Sequence, residues 1–374
     1  MRNQTGLIGV SAALGVAIVA SACAGTPVAQ EVARDKQVDT DMAAVTASGV
    51  PGVAIVIRDG GSTSRVAQGV GEVATNTPMR VADRVRIGSL AKSYVSVVLL
   101  QLAGENRLSL EDSIEKWVPG MVPNGATVTI RQLLNHSSGI ANYEEHPQYL
   151  APYLAGDFAH VTTPAQLVAM GTSRGPLFPP GTSSAYSNTN YTLAGLIIEK
   201  VTGSTLGAQF EQRIFGPLKL GSTYLPTGPE IDGQHAHGYF VLADPPATDV
   251  TRFSPSIGWA GGSIISTPDD VSAFYRALLE GRLLRPELLK QMMATIAGSN
   301  GEQYGLGLAQ KTLPCGTAWG HGGNFPGYLV ESYSSADARH QVTVAYNLDP
   351  NSMQQASKDA VERLLKDAFC GVKP

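Results

Sequence analysis

Residues 88–104 read Gly-Ser-Leu-Ala-Lys-Ser-Tyr-Val-Ser-Val-Val-Leu-Leu-Gln-Leu-Ala-Gly. Leu90, Val95, Val98, Leu99 and Leu102 keep returning to one side, which predicts a helix with Ser89 at its start. Positions i and i+3 share a helix face, so the Ser89 hydroxyl and the Lys92 amine become neighbours. A serine hydroxyl is a poor nucleophile until a partner takes its proton. An ammonium cannot do so, but burial lowers a lysine pKa and a neutral amine can. The N–H groups at the helix start would face a developing oxyanion. Ser-x-x-Lys alone is commonplace, usually a capped helix with a surface lysine, so it needs companions.

This helix also marks a change of structural period. Before it, 50–58 (VPGVAIVIR) reads as a buried strand, Asp59-Gly60-Gly61 as a turn and 64–73 as a second strand. After it, helical patterns fill 129–134, 164–169, 192–201, 206–214, 268–279 and 286–293, with a Pro/Gly loop at 178–182. Strands return at 304–311, 317–321, 328–333 and 341–346, and a helix over 352–369 closes the chain. The expected class is therefore α/β (α+β). An antiparallel sheet flanked by helices draws on both chain ends (about 45–88 and 296–374), and a helical domain fills about 89–295. A cleft between them is the natural place for a site.

Hydrophobic residues make up 43% of the 374 and charged residues 16%, which calls for a large buried core rather than disorder. The net charge of −4, without a Lys/Arg run, excludes a nucleic-acid-binding face. Residues 1–23 read as an export signal: Arg2, an apolar run over 7–22, and Ala-Ser-Ala at 20–22. Cys23 follows directly and resembles a bacterial lipobox, although Ala20 stands where Leu or Val is more usual. Lipid anchoring and plain secretion are both left open. Residues 24–44 are expected to be an N-terminal tail. Cys315 and Cys370 remain; in an oxidising compartment an even pair suggests one disulfide, with two buried thiols as the alternative. Their spacing has no companion His for zinc, and no metal or other cofactor is expected.

Two later stretches carry polar groups suited to acyl chemistry. Tyr186-Ser187-Asn188 follows the Pro/Gly loop. A phenol hydrogen-bonded to an ammonium gives up its proton more readily, and Asn188 offers both a donor and an acceptor. Gly320-His321-Gly322-Gly323-Asn324 lies on a late strand, where glycines point to the close approach of another backbone or a ligand. The N–H groups of Asn324 and Ser89 are candidates for an oxyanion hole, and His321 for a polar or partly positive neighbour.

Ser-x-x-Lys, Tyr-x-Asn and His-x-Gly occur in that order, about 95 and 135 residues apart. Together with Leu133-Leu-Asn-His-Ser-Ser-Gly-Ile, Pro179-Pro-Gly-Thr and Ala260-Gly-Gly-Ser-Ile-Ile-Ser-Thr, the order resembles the serine β-lactamase and penicillin-binding protein superfamily. The branch is that of class C β-lactamases and D-alanyl-D-alanine carboxypeptidases, which also includes D-aminopeptidases and esterases. The resemblance implies Ser89 as nucleophile, Lys92 as its proton partner and Tyr186 as general base, then acid. It implies Asn188, His321, Gly322, Gly323 and Asn324 at the substrate, and a Cys315–Cys370 disulfide. Trp259 is a candidate pocket wall or an ordinary core residue.

Two departures bear on the substrate. Gly322 has no hydroxyl where the motif often carries one, and the preceding strand offers Ala309, Gln310 and Lys311 instead of an arginine. Both weaken a substrate carboxylate as the handle, since Lys does not replace a bidentate Arg. His235-Ala-His237 lacks a third metal ligand, no Gly-x-Ser-x-Gly elbow is present, and His136 reads as a structural hydrogen bonder. The expectation is an exported acyl-transferring hydrolase, secreted or lipid-anchored on the outer face of a bacterial membrane. Its substrate would be a small peptide, ester or β-lactam, first of all a D-alanyl peptide of the peptidoglycan type. An esterase, a weak β-lactamase or a non-catalytic cell-wall or β-lactam binder are the alternatives.

Overall fold

Val53, Ala54, Ile55, Val56 and Ile57 are all buried, so strand β1 (Gly52–Asp59) is covered on both faces. In the computed structural model, which describes residues 1, 27–241, 247–298 and 301–371, β1 lies near the middle of a nine-stranded antiparallel sheet. The other strands are β2 (Ser62–Glu72), β3 (Thr77–Pro78), β4 (Ile296–Ala297), β5 (Gln303–Tyr304), β6 (Ala309–Leu313), β7 (Gly316–Phe325), β8 (Tyr328–Ser334) and β9 (His340–Tyr346). Their order is β3-β2-β1-β9-β8-β7-β6-β5-β4, so the two chain ends meet where β1 pairs with β9. The expected mixed class with a large antiparallel sheet and helices is what the chain adopts.

Val53, Ile55 and Ile57 turn to one face. There they pack with helices α1 (Pro27–Ala47) and α5 (Gln355–Cys370), whose Val38, Met42, Leu364 and Leu365 complete a core. Ala54 joins the core of the other face, beneath helix α4 (Pro268–Leu279). The tail expected over 24–44 is thus corrected from residue 27 onward. Val38, Met42 and Val45 recur at i, i+4 and i+7, forming a stripe that docks on α5. The export segment and Cys23 lie outside the described residues.

Helix α2 (Ala91–Gly104) is buried on every side from Ala91 to Leu100, as a helix in the middle of a large core must be. Tyr94 stacks on Phe274 of α4 with ring centroids 3.6 Å apart, which ties α2 to the helix that covers the sheet. The single strand expected over 304–311 is two strands, β5 and β6. Between them Gly307, at φ +72°, presses on α2, where an added methyl would meet Ser96 Oγ at 2.1 Å. Its carbonyl accepts a hydrogen bond from Ser93 Oγ at 2.6 Å. Packing on the helix overrides strand continuation there.

Candidate active site

Ser89 sits on a 3-10 turn, Gly88–Leu90, that runs directly into α2. Gly88 has φ +55°, and a methyl on it would meet Asn324 O at 2.3 Å and Asn324 N at 2.7 Å. A methyl on Gly323 would meet Ile87 O at 2.3 Å and Ser89 N at 2.6 Å. Both positions require glycine, because β7 lies against the serine turn with backbone touching backbone. This contact sets the main chain of Asn324 beside that of Ser89.

Lys92 is fully buried, one turn into the helix. Its Nζ lies 2.9 Å from Ser89 Oγ and donates to Gly261 O at 2.7 Å. Burial brings its pKa down from 10.5 to about 7, a little offset by the charge of Glu144. A neutral amine that donates to Gly261 O keeps its lone pair for the Ser89 proton. The Tyr186 hydroxyl donates to Ser89 Oγ at 2.8 Å, so both partners reach the same oxygen.

The phenol differs from expectation. Lys92 Nζ lies over the face of the Tyr186 ring, 4.9 Å from its centroid, rather than on the phenol oxygen. The side chain is 41% exposed, yet the protein packed around it removes enough water to hold the phenol's pKa well above 10. Tyr186 therefore retains its proton while Lys92 gives its own up.

A crevice of about 510 Å³ opens over these groups. Asn188, Gly322, Gly323 and Asn324 line it with Ser89 and Tyr186. Asn188 is the first residue of helix α3 (Asn188–Thr202). Its Oδ1 lies 3.5 Å, and Lys92 Nζ 3.7 Å, from the point where a Gly261 methyl would sit. His321 also lines the crevice but supplies no positive charge. Burial first, then Lys92, lowers its pKa to about 3. Its ring bridges the Gly322 carbonyl and the Tyr304 hydroxyl, the latter at 2.8 Å, an arrangement suited to neutral imidazole. Trp259 is not in the lining: its ring packs on Gly195 of α3, within 3.0 Å of where a methyl there would lie. Cys315 and Cys370 form a disulfide that fastens the end of α5 beside β6 and β7.

Residues that the sequence did not single out complete the walls. Glu144, Glu302 and Glu331 bring three carboxylates to the crevice, while Lys311 is paired with Glu331 at 3.3 Å. Beyond Asn324 an aromatic recess of about 230 Å³ adjoins it, walled by Tyr149, Tyr153, Phe240, Phe253 and Phe325. Nothing in spacing marks these side chains, because they come from separate segments that only folding gathers.

The fold and site define a serine hydrolase of the β-lactamase and penicillin-binding type, in which an amine and a phenol both reach one serine hydroxyl. A family model described as Beta-lactamase matches residues 34–366, and the chain belongs to that family. A solved D-stereospecific amidohydrolase from Streptomyces sp. superposes with a TM-score of 0.83 at 37% identity, covering 90% of this chain and 99% of that one. A D-aminopeptidase of Cereibacter sphaeroides strain KD131 is 27% identical over 344 residues, 87% of this chain. The chain spans only 62% of that relative's length. Penicillin-binding protein 4* of Bacillus subtilis is 27% identical over 316 residues, covering 79% of this chain and 68% of the relative.

Proposed function

We propose that this protein is an amidohydrolase of the D-aminopeptidase type, which opens amides of D-amino acids bearing a free α-amine through an acyl-enzyme on Ser89. One observation carries the reading: Ser89 Oγ lies within hydrogen-bond reach of both Lys92 Nζ and Tyr186 OH in a crevice with three carboxylates.

Neutral Lys92 takes the Ser89 proton as Oγ attacks the amide carbon, and the Ser89 and Asn324 N–H groups hold the oxyanion. As the C–N bond breaks, Tyr186 gives its proton to the leaving nitrogen. The phenolate and the Lys92 ammonium, adjacent through the ring face, stabilise each other. Phenolate then takes a proton from the attacking water, and Lys92 returns its own to Oγ as the ester bond opens. Every proton is restored after one turnover.

With Glu331 engaged by Lys311, the lining still carries more carboxylates than amines, which supports a cationic substrate group over an anionic one. A terminal carboxylate, the handle of a D-alanyl-D-alanine carboxypeptidase, would meet Gly322, which has no side chain, and Lys311, already engaged by Glu331. The recess beside Asn324 suits an apolar side chain on the acyl half. The names of the Streptomyces and Cereibacter relatives support the D configuration. Export belongs to the same reading, supported by the disulfide, which persists in oxidising compartments.

A substrate series tests this. D-Phenylalanine amide, its N-acetyl form, the L enantiomer and N-acetyl-D-Ala-D-Ala are compared by kcat/KM. The free D-amine should be preferred by at least about tenfold, and preference for either acetylated substrate would overturn the reading.

A further inference from the structure

His136 takes no part in the relay described above, yet it is buried at its edge with φ +62°, a conformation rare for a residue with a side chain. Its bonds explain why the strain is kept. The His136 carbonyl accepts the Ala185 N–H at 3.0 Å, and its Nδ1 accepts the Ser187 N–H at 3.2 Å. The two donors are the residues on either side of Tyr186. The ring itself lies against the Tyr186 ring, with centroids 4.3 Å apart. Asn190 Nδ2 lies 3.3 Å from the same Nδ1 and steadies the imidazole from α3.

Because Nδ1 accepts a main-chain N–H, the ring proton must be on Nε2, and the imidazole must be neutral. Burial and the nearby Lys92 and His321 keep its pKa well below 6.5, in agreement. Nε2 has no hydrogen-bond partner among the described residues. The histidine is therefore held for its Nδ1, its carbonyl and its ring face, all three of which act on the segment carrying Tyr186.

We infer that His136 is a positioning residue for Tyr186: by gripping the main chain on both sides of the tyrosine and backing its ring, it aims the phenol at the leaving group. The inference rests on Tyr186 as the proton donor to the leaving nitrogen. Its consequence is selective. An amine leaves only when protonated, whereas p-nitrophenolate leaves unaided. A misaimed phenol should slow amide cleavage and spare activated esters.

The test compares one D-aminoacyl group as its alkyl amide and as its p-nitrophenyl ester, with active sites counted from the ester burst. Tyr186→Phe sets the scale of amide-selective loss. His136→Leu, which removes the acceptor and the ring, should lower kcat/KM for the amide by about 10²-fold and for the ester by less than about threefold. His136→Asn, whose side-chain oxygen can accept near the Nδ1 position, should recover most of the amide activity. If the His136→Leu chain does not fold, His136→Gln, which lacks an acceptor at that position, takes its place with the same expectation. Equal losses on amide and ester in the presence of an amide-selective Tyr186→Phe would overturn the positioning role alone. An unselective Tyr186→Phe would instead overturn the proton-donor reading, and this inference with it.

Discussion

Replacing Lys92 by Met should abolish turnover and yet stabilise the fold at neutral pH. The amine is fully buried and its pKa falls from 10.5 to about 7. Such a drop corresponds to a cost on the order of 5 kcal/mol for folding the chain around a lysine that water would keep charged. Methionine has a similar unbranched shape and no such cost. It forfeits the bond to the Gly261 carbonyl, and an acceptor left unpaired costs about 1–3 kcal/mol. The net gain should be about 2–4 kcal/mol at pH 7.

The pH dependence identifies the cause. Between about pH 7 and 10.5 the unfolded chain binds one more proton at Lys92 than the folded chain. Native stability of the parent protein therefore rises with pH in that window, at up to about 1.4 kcal/mol per unit. The advantage of Lys92→Met should shrink accordingly and vanish between about pH 8.5 and 10. Urea unfolding of both proteins at several pH values, with the disulfide intact, measures it. A stability gap that stays constant from pH 7 to 10, or a variant less stable at pH 7, would refute the assignment of Lys92 as a buried amine with a depressed pKa.

Other outcomes follow from the same geometry. The kcat/KM for ester substrates should fall about tenfold per pH unit below about pH 7, because protonated Lys92 cannot take the serine proton; a flat profile down to pH 5 would remove it as base. Gly323→Ala forces a methyl against Ile87 O and to within 2.6 Å of Ser89 N, so it should lower kcat by about 10²–10³-fold and also destabilise the fold by about 1–3 kcal/mol, as read from steady-state kinetics and urea unfolding. Glu144→Gln should raise KM for substrates with a free amine and leave that for their N-acetyl forms unchanged. Cys315→Ala with Cys370→Ala opens a link across 55 residues and should cost about 2–4 kcal/mol in urea unfolding, since it releases the end of α5.

Much of this arrangement was legible because some of it is local. Ser89 and Lys92 meet through helix spacing alone, and the paired ends of the chain follow from apolar runs at 53–57 and 342–346. Tyr186 was reachable only through the order of three motifs, since no spacing brings it to Ser89. Helix α1 is hard to read from sequence although Val38, Met42 and Val45 carry its period, because Asp35, Lys36, Gln37, Asp39 and Asp41 around them give the stretch a polar look. The break in 304–311 depends on Gly307 meeting α2, and the neutrality of His321 depends on Tyr304 and the Gly322 carbonyl, which are tertiary facts. Between the two readings open for Trp259, pocket wall or core, only packing decides: its ring lies on Gly195 against the core.

Mass spectrometry of the intact protein, quenched during turnover of a D-aminoacyl p-nitrophenyl ester, addresses the chemistry most directly. The mass should increase by one acyl group, map to the peptide carrying Ser89, decay once the ester is exhausted, and be missing from Ser89→Ala. Hydrolysis that persists in Ser89→Ala, or an adduct on any other residue, would contradict an acyl-enzyme at Ser89.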